Sequence, residues 1–150
     1  MEIERKYLVQ RENLPFDLDT YPCYQIEQGY LSVNPVIRIR REEDRYELTY
    51  KSIGLMTREE RNLPLCKDAY LQLVKKIEGH LITKTRYKIP LSDDLIVELD
   101  VFQGKKAPLM LAEVEFPNLE TANSFVPPAW FSKEVTFSGE YHNSVLSQSE

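Results

Sequence analysis

The chain opens with Met1-Glu-Ile-Glu-Arg-Lys-Tyr-Leu-Val9, a stretch in which charged and apolar side chains alternate. Successive side chains of an extended chain point to opposite faces, so Glu2, Glu4 and Lys6 share one face and the apolar residues lie mainly on the other. The stretch therefore predicts a β-strand with one charged face and one apolar face. A single strand of this kind is common on protein surfaces, so the prediction of the fold rests on how often the layout recurs.

The same layout recurs along most of the chain. Charged residues return at even spacing, which places them together on one face of each strand, opposite a mostly apolar face. These sets are Arg38 and Arg40; Glu47 and Lys51; Arg58 and Glu60; Lys84, Arg86 and Lys88; Glu98 and Asp100; and Glu113 and Glu115. The repetition predicts a sheet with one charged face and one apolar face.

The chain is predicted to be predominantly β, of the α+β class, with eight strands and a few helices. The predicted strands are Met1–Val9, Cys23–Val33, Val36–Glu42, Arg45–Ser52, Leu55–Leu65, Leu81–Leu91, Leu95–Phe102 and Leu109–Phe116. Helical spacing of apolar residues predicts three helices at Lys67–Glu78, at Leu119–Phe125 with Asn118 as the cap, and at Gly139–Ser149.

Two architectures accommodate eight antiparallel strands with charged faces. The first is a closed barrel with a polar tunnel inside and flanking helices over its apolar outside, which leaves no exposed sheet edges. The second is an open sheet packed on helices with its charged face in water. The charged residues lie at matched depths, and basic strands are set apart from acidic ones, which favours the barrel.

Length and composition limit the function classes. With 150 residues, positions 1–150 are expected to form a single domain. The net charge of −5 argues against a nucleic-acid partner, and no apolar run approaches the roughly 20 residues of a membrane span. Cys23 and Cys66 have no metal-ligand spacing and are interpreted as small buried or half-buried residues. A cytoplasmic protein with reduced thiols is expected, and a homodimer remains one option for its assembly.

The charged sets also indicate a chemistry. A chain of phosphates suits the basic residues, because arginine binds phosphate oxygens with paired hydrogen bonds: Lys6, Arg38, Arg40, Lys51, Arg58, Lys84, Arg86 and Lys88. Hard cations such as Mg²⁺ or Mn²⁺ suit the acidic residues: Glu2, Glu4, Glu98, Asp100, Glu113 and Glu115. The alternative is an internal salt-bridge network without a ligand, in which the cost of desolvating so many ions would have to be recovered by their attraction alone.

The N-terminal Glu2-Ile-Glu-Arg-Lys6 resembles the E-x-E-x-K signature of the CYTH superfamily, also called triphosphate tunnel metalloenzymes. The motif is short, but further similar motifs follow in order over nearly the whole chain. They are Gln28-Gly-Tyr-Leu31, Arg38-Ile-Arg40, Leu48-Thr-Tyr-Lys51, Arg58-Glu-Glu60, Lys84-Thr-Arg-Tyr87, Glu98-Leu-Asp100, Glu113-Val-Glu115, Glu134-Val-Thr136 and Tyr141-His-Asn143. The resemblance implies an eight-stranded antiparallel barrel that forms a tunnel.

The resemblance also implies roles for residues. Divalent metal would be held by Glu2, Glu4, Glu113 and Glu115. The triphosphate would be bound by Lys6, Arg38, Arg40, Lys51, Arg58, Lys84 and Arg86. Lys6, Tyr30 and Lys84 would be catalytic, with Tyr30 close to Lys84, and the further tunnel acids would be Glu60, Glu98 and Asp100. One departure is Asn62, where many relatives carry another acidic residue, and this places a second metal ligand on that strand in doubt.

The implied function is divalent-metal-dependent hydrolysis of a triphosphate. The short chain shows no insertion that would recognise a base, so inorganic tripolyphosphate is the expected substrate, with nucleoside triphosphates as a side activity. Two enzymatic alternatives share the same residues, a class IV-type adenylate cyclase and a thiamine triphosphatase. A non-catalytic polyphosphate-binding module is the third alternative, and the intact Glu2, Glu4 and Lys6 argue against it.

Overall fold

The structure, a computed structural model, describes residues 1–92 and 94–148. Within these residues there are ten strands and three α-helices, joined by short loops and 3-10 turns. The strands are β1 (Glu2–Val9), β2 (Cys23–Val33), β3 (Val36–Glu42), β4 (Arg45–Lys51), β5 (Thr57–Arg58), β6 (Glu60–Leu65), β7 (Glu78–Pro90), β8 (Ile96–Phe102), β9 (Met110–Glu115) and β10 (Phe131–Glu134). The helices are α1 (Lys67–Val74), α2 (Leu119–Ser124) and α3 (Asn143–Leu146).

The strands form a nearly closed antiparallel barrel. Their order in the sheet is β10-β1-β9-β8-β7-β2-β3-β4-β6, and β5 pairs with β1. Because only Glu59 separates β5 from β6, these two segments act as one interrupted strand that returns from β4 to β1. The circuit therefore has eight strand positions, which confirms the predicted eight-stranded barrel.

The first strand closes the circuit because both of its edges are paired. Along one edge β1 pairs with β9, where Glu4 lies opposite Glu115 and Lys6 lies opposite Glu113. The other edge is shared: β5 pairs with the first residues of β1, and β10 pairs with its last residues. The alternation of the opening stretch thus points Glu2, Glu4 and Lys6 into the barrel, and Ile3, Tyr7 and Val9 outward.

Apolar side chains pack in two places. The larger cluster covers the outside of the barrel around Tyr7, Leu99 and Val114, beneath α2 and Trp130. The smaller cluster lies inside the barrel at one end, because its members share strand faces with the lumen residues. It comprises Ile82, Phe102, Leu111, Val135 and Leu146, with Leu8, Leu109 and Tyr141 packed against it. Leu146 of α3 thereby helps to close this end, which we call the closed end.

Two strand predictions are corrected. The predicted strand Leu55–Leu65 is interrupted at Glu59, where the chain passes from pairing with β1 to pairing with β4. The short strand β10 was not predicted, since it has four residues and follows Pro127-Pro128, which indicated only a helix end.

Two helix predictions are also corrected. The predicted helix Lys67–Glu78 ends at Val74, because Glu78 instead pairs with Tyr30 of β2. The predicted helix Gly139–Ser149 contains only α3, since Gly139 has a φ of 76°, outside the helical region. Its last position, Ser149, lies outside the described residues, as does Asp93 in the predicted turn at 92–94. The α2 prediction is confirmed, with the Asn118 side chain accepting a hydrogen bond from the Thr121 N–H.

The two cysteines are not buried. Cys23 and Cys66 are both exposed free thiols, so the prediction that they are small buried or half-buried residues is wrong. Cys23 begins β2 and Cys66 precedes α1, and both positions lie at element ends on the surface. In the part of the chain that the structure describes, no helix has the length and apolar character needed to cross a membrane.

Candidate functional site

A polar cavity of about 290 Å³ occupies the barrel lumen. All but Lys84 and Asp100 of the predicted site residues line it, which follows from the alternation that points their side chains inward. Those in the wall are Glu2, Glu4, Lys6, Tyr30, Arg38, Arg40, Lys51, Arg58, Glu60, Arg86, Glu98, Glu113 and Glu115. The barrel thus brings together side chains from strands that are far apart in the sequence.

Two arginines of β3 are buried in the wall, and the shortest side-chain hydrogen bond of each goes to a neutral group, although Arg40 also lies 3.4 Å from the Glu42 Oε1. Arg40 donates from Nε to the Gln28 Oε1 at 2.8 Å, and Arg38 donates from Nη2 to the Thr49 Oγ1 at 3.1 Å. The Arg38 Nε has no hydrogen-bond partner among the described residues. Burial, with Arg38 and Arg86 nearby, lowers the pKa of Arg40 to about 10. Positive charge is therefore held in the lumen without full compensation, which is the environment that an anion stabilises.

The acidic residues of β1 face a second group of carboxylates. Burial and the nearby Glu4 raise the pKa of Glu2 to about 7, although Lys51 lies 3.0 Å away and Arg58 lies 3.5 Å away. Burial also raises the pKa of Glu115, followed by repulsion from Glu4, which lies opposite it in the ladder. Carboxylates that repel each other at a lumen wall are a donor set that a hard divalent cation would relieve.

The carboxylates of Glu2, Glu4 and Glu115 suit a divalent cation by their chemistry, but they do not form a cluster in this structure. In the described part of the chain, no three side chains of His, Cys, Asp or Glu form a ready metal cluster. Glu4 also lies 3.6 Å from the Arg58 Nη2, so part of the acidic set is engaged with basic side chains. Binding a cation would require Glu2 and Glu4 to exchange those contacts for the metal.

Glu113 has a different environment from the other predicted metal ligands. Its carboxylate lies 3.5 Å from the Lys6 Nζ and 3.9 Å from the Arg86 Nη2. Burial alone would raise its pKa, but the charges of Lys6, Arg86 and Lys84 hold the pKa of Glu113 well below its ordinary range. Glu113 therefore serves in this structure as the counter-ion of the basic side chains.

Lys84 and Asp100 form a sealed ion pair behind the lumen wall. Both side chains are 0% exposed, and the Lys84 Nζ lies 2.6 Å from the Asp100 Oδ2. Arg86 completes the cluster with hydrogen bonds of 2.7 Å and 2.8 Å to the same carboxylate. Burial lowers the pKa of Lys84 to about 7 despite the attraction of Asp100. The expectation that Lys84 and Asp100 line the tunnel is thus not met, because their side chains lie beneath its surface.

Tyr30 and Lys84 have separate partners. The Tyr30 hydroxyl is buried and accepts a hydrogen bond of 3.1 Å from the Gln28 Nε2, and burial raises its pKa. The Lys84 ammonium donates to Asp100 and, at 3.3 Å, to the Asn143 Oδ1. The contact expected between Tyr30 and Lys84 is therefore replaced by these two sets of contacts.

Some lumen residues received no role from the sequence. Tyr24 and Glu42 share strand faces with Gln28 and Arg40, so strand periodicity alone would have placed them. His142 and Asn143 belong to a motif that was recognised, but no alternation indicates that this segment reaches the lumen. Burial and then the charges of Lys6 and Arg58 lower the pKa of His142 to about 4, so its imidazole is neutral at neutral pH.

Comparison with known proteins identifies the family. No protein-family model matches the chain. The chain is 38% identical over 151 residues to the inorganic triphosphatase of Nitrosomonas europaea, and the alignment covers 99% of this chain and 97% of that relative. The chain belongs to the inorganic triphosphatase family. A second inorganic triphosphatase, from Acetivibrio thermocellus, is 32% identical, with 97% of this chain and 92% of that relative covered.

The fold of this inorganic triphosphatase family member matches a solved relative. A crystal structure of an inorganic triphosphatase superposes with a TM-score of 0.73 at 36% identity, covering 100% of this chain and 96% of the other. The predicted membership in the triphosphate tunnel family is thereby confirmed, together with the barrel that it implied.

Proposed function

We propose that this chain hydrolyses a linear triphosphate with the help of a divalent cation. Inorganic tripolyphosphate is the preferred substrate and nucleoside triphosphates are poorer ones. The observation that carries the proposal is the pair Arg38 and Arg40, buried in the lumen. Arg38 donates to the neutral Thr49, and Arg40 donates at 2.8 Å to the neutral Gln28, with the Glu42 carboxylate farther away at 3.4 Å. The relatives named inorganic triphosphatase support the same substrate. Residues 1–150 act as one catalytic unit, since the site draws on strands from both ends of the sequence.

The basic side chains of the lumen bind the phosphates. Arg38 and Arg40 project side by side from β3, Lys51 lies on the neighbouring β4, and Arg58 lies on β5, which pairs with β1. Planar guanidinium groups match pairs of phosphate oxygens, and the ammonium of Lys51 supplies a compact charge. A bound triphosphate would therefore replace the missing counter-charge and orient the phosphorus atoms along the lumen.

The acidic side chains of β1 and β9 would hold the cation, which is Mg²⁺ or Mn²⁺ because all donors are carboxylate oxygens. Glu4 and Glu115 face each other across the ladder, with Glu2 beside them on β1. When bound, the cation supplies a Lewis acid that withdraws charge from phosphate oxygens and helps water to act as the nucleophile. Glu113 stays with Lys6 and Arg86 and keeps those cations in place.

The protein's own contribution to the reaction is electrostatic. Hydrolysis joins water to a terminal phosphorus, breaks one P–O–P bridge and releases phosphate and pyrophosphate. Negative charge shifts to the bridging oxygen as that bond breaks, and the fixed cations Lys6, Arg58 and Arg86 stabilise it without rearranging. Each of these side chains is almost fully buried, so its charge acts in a medium that screens it weakly.

One assay tests the proposed function. Phosphate, pyrophosphate and cyclic nucleotide are measured after incubation with tripolyphosphate, ATP or thiamine triphosphate, with Mg²⁺ and then with Mn²⁺. We expect phosphate and pyrophosphate from tripolyphosphate at a rate that depends on the metal, and slower release from ATP. Cyclic AMP as the main product would instead identify a cyclase. Tight binding of tripolyphosphate with no product under any metal would identify a non-catalytic binding module.

A further inference from the structure

The sealed position of Lys84 leaves a gap in the expected set of phosphate contacts. Lys84 does not reach the lumen surface, and its ammonium donates to the Asp100 Oδ2 and to the Asn143 Oδ1. Asn143 itself does line the lumen. An amide from the C-terminal segment thus contacts the buried lysine and also lines the cavity.

The barrel holds Asn143 in this place through α3. Leu146, one turn further along, is buried in the apolar cluster of the closed end. The Ser147 carbonyl accepts a hydrogen bond of 2.9 Å from the His80 N–H at the start of β7. Gly79 permits this approach, since a Cβ at that position would lie 2.2 Å from the Ser147 oxygen. These contacts fix the helix against the barrel and therefore fix the position of Asn143.

The contact with Lys84 also fixes which way the amide points. An ammonium group only donates hydrogen bonds, so the amide must turn its oxygen toward Lys84. The nitrogen Nδ2 then points away from the buried ion pair, and Asn143 lies in the lumen wall beside His142. A neutral donor here adds a hydrogen bond to a phosphate oxygen without adding to the repulsion among the cations.

We propose that Asn143 is a substrate-binding residue, whose Nδ2 donates to a phosphate oxygen of the bound triphosphate while its Oδ1 accepts from Lys84. The inference rests on the proposed function for the identity of the ligand. It deepens that function by assigning a phosphate contact to the C-terminal segment, outside the charged strands. The segment that closes one end of the barrel thereby also belongs to the binding site.

The test compares tripolyphosphate binding by wild type and two variants. Calorimetry is done without divalent cation, so that the anion is bound without being hydrolysed, and KM and kcat are then measured with Mg²⁺. We expect Asn143→Ala to weaken tripolyphosphate binding about tenfold or more, as for the loss of one hydrogen bond to a charged group. Asn13→Ala, in an exposed turn far from the lumen, is the control and should bind like wild type.

Asn143→Asp keeps the volume and an acceptor for Lys84 but removes the donor. It should stay folded, with an unchanged melting temperature, and bind tripolyphosphate more weakly than Asn143→Ala, because a carboxylate repels phosphate. Wild-type affinity in either folded variant would overturn the proposal, as would a fall in kcat alone with unchanged affinity, which indicates positioning of Lys84 only. If wild type binds tripolyphosphate and releases no product, the proposed function fails, while the calorimetric comparison still decides the role of Asn143.

Discussion

Glu4 and Glu115 are the two carboxylates that the pairing of β1 with β9 sets directly opposite each other. Opposed charges of the same sign destabilise a ladder unless something lies between them. The raised pKa of Glu115, caused by burial and then by Glu4, is the sign of that repulsion. At the scale of single residues, this pair is where the proposed cation would relieve a direct repulsion between carboxylates.

Replacing Glu4 with Gln tests the requirement. The amide keeps the shape of the side chain but removes the charge that a hard cation needs. We therefore expect turnover of tripolyphosphate to fall by about 10²-fold or more, and the Mg²⁺ concentration needed for activity to rise. Initial rates over a series of Mg²⁺ concentrations measure both. Glu12→Gln, on an exposed turn, is the control. A variant at position 4 with wild-type rates at every Mg²⁺ concentration would contradict the metal role.

Asp100 balances two buried cations, so removing its charge should destabilise the fold. We expect Asp100→Asn to lower the free energy of unfolding by about 3–5 kcal/mol, because Lys84 and Arg86 lose their counter-charge. Lys84→Met should cost less, since Asp100 keeps both hydrogen bonds to Arg86. Urea unfolding of the two variants measures both losses of stability. An equal loss in both would show that the hydrogen bonds from Arg86 to Asp100 contribute little beyond the Lys84–Asp100 ion pair.

The Asp100 carboxylate also determines how the stability of the fold changes with pH. Burial raises the pKa of Asp100, but Arg86 and then Lys84 outweigh it, so the folded pKa lies below the ordinary value of 3.8. The stability from the ionised carboxylate is therefore complete above that value and is lost as the pH falls through the lower, folded pKa. Wild type should lose more stability than Asp100→Asn on acidification below about pH 4.

Sequence alternation predicts which way a residue points but not how deep it lies. Arg86 and Lys84 share a face of β7, yet the first lines the lumen and the second is sealed behind it. Depth depends on the stagger of neighbouring strands and on what fills the end of the barrel. Neither is encoded in the two-residue period, so Lys84 and Asp100 were placed on the correct face but in the wrong environment.

At the scale of elements, α3 depends on one glycine. Gly79 has a φ of 69°, and its missing side chain leaves room for the Ser147 carbonyl. Gly139 has a similar φ of 76°, but a Cβ there would meet no atom within 4 Å. Both glycines therefore need a positive φ, and only Gly79 also needs the space that its missing side chain leaves for Ser147.

Substituting each glycine with alanine separates the two effects. We expect Gly139→Ala to cost about 1 kcal/mol from the left-handed backbone alone. Gly79→Ala should cost more, because the methyl group collides with the Ser147 backbone and displaces α3 from the closed end. Thermal unfolding measures the stability of each variant, and KM for tripolyphosphate shows whether its binding site is disturbed. Equal effects of the two variants would show that α3 does not rely on the approach at Gly79.

The long strands were predictable because their alternation is regular over seven or more residues. The short elements were not: β10 has four residues, and α3 begins only after Gly139 has redirected the chain. Their positions are decided by long-range contacts, such as the pair of Arg5 with Glu134 at 2.7 Å, which local patterns do not reveal.

At the scale of the whole molecule, the acidic chain gathers many of its basic residues inside the barrel. The chain carries a net charge of −5, yet among the described residues seven lysines and arginines line the lumen beside eight glutamates. The net charge describes the chain as a whole and does not reveal how the basic residues are distributed. Only the closing of the barrel concentrates the basic residues in one cavity.

Arg40 and Arg45 allow the same substitution to be compared inside the barrel and on the protein surface. Both contact Glu42, but the Arg40 side chain is buried and the Arg45 side chain is 82% exposed. We expect Arg40→Ala to weaken tripolyphosphate binding by at least tenfold and to reduce its dependence on KCl concentration, since one positive charge that attracts the anion is lost. Arg45→Ala should bind like wild type. Calorimetry at several salt concentrations decides, and equal behaviour of the two variants would contradict a basic binding site inside the barrel.

The pairing of β1 with three partners also governs how the molecule folds. Its ladder partners include Arg58, Glu113 and Glu134, so the hydrogen bonds of the first strand are made with residues far along the chain. Such pairing is slow, because the entropy of closing long loops is lost before the contacts compensate for it. Refolding is therefore expected over roughly milliseconds to seconds. Until β1 joins β9, the unpaired edge can capture a strand of another molecule, so aggregation during refolding should rise with protein concentration.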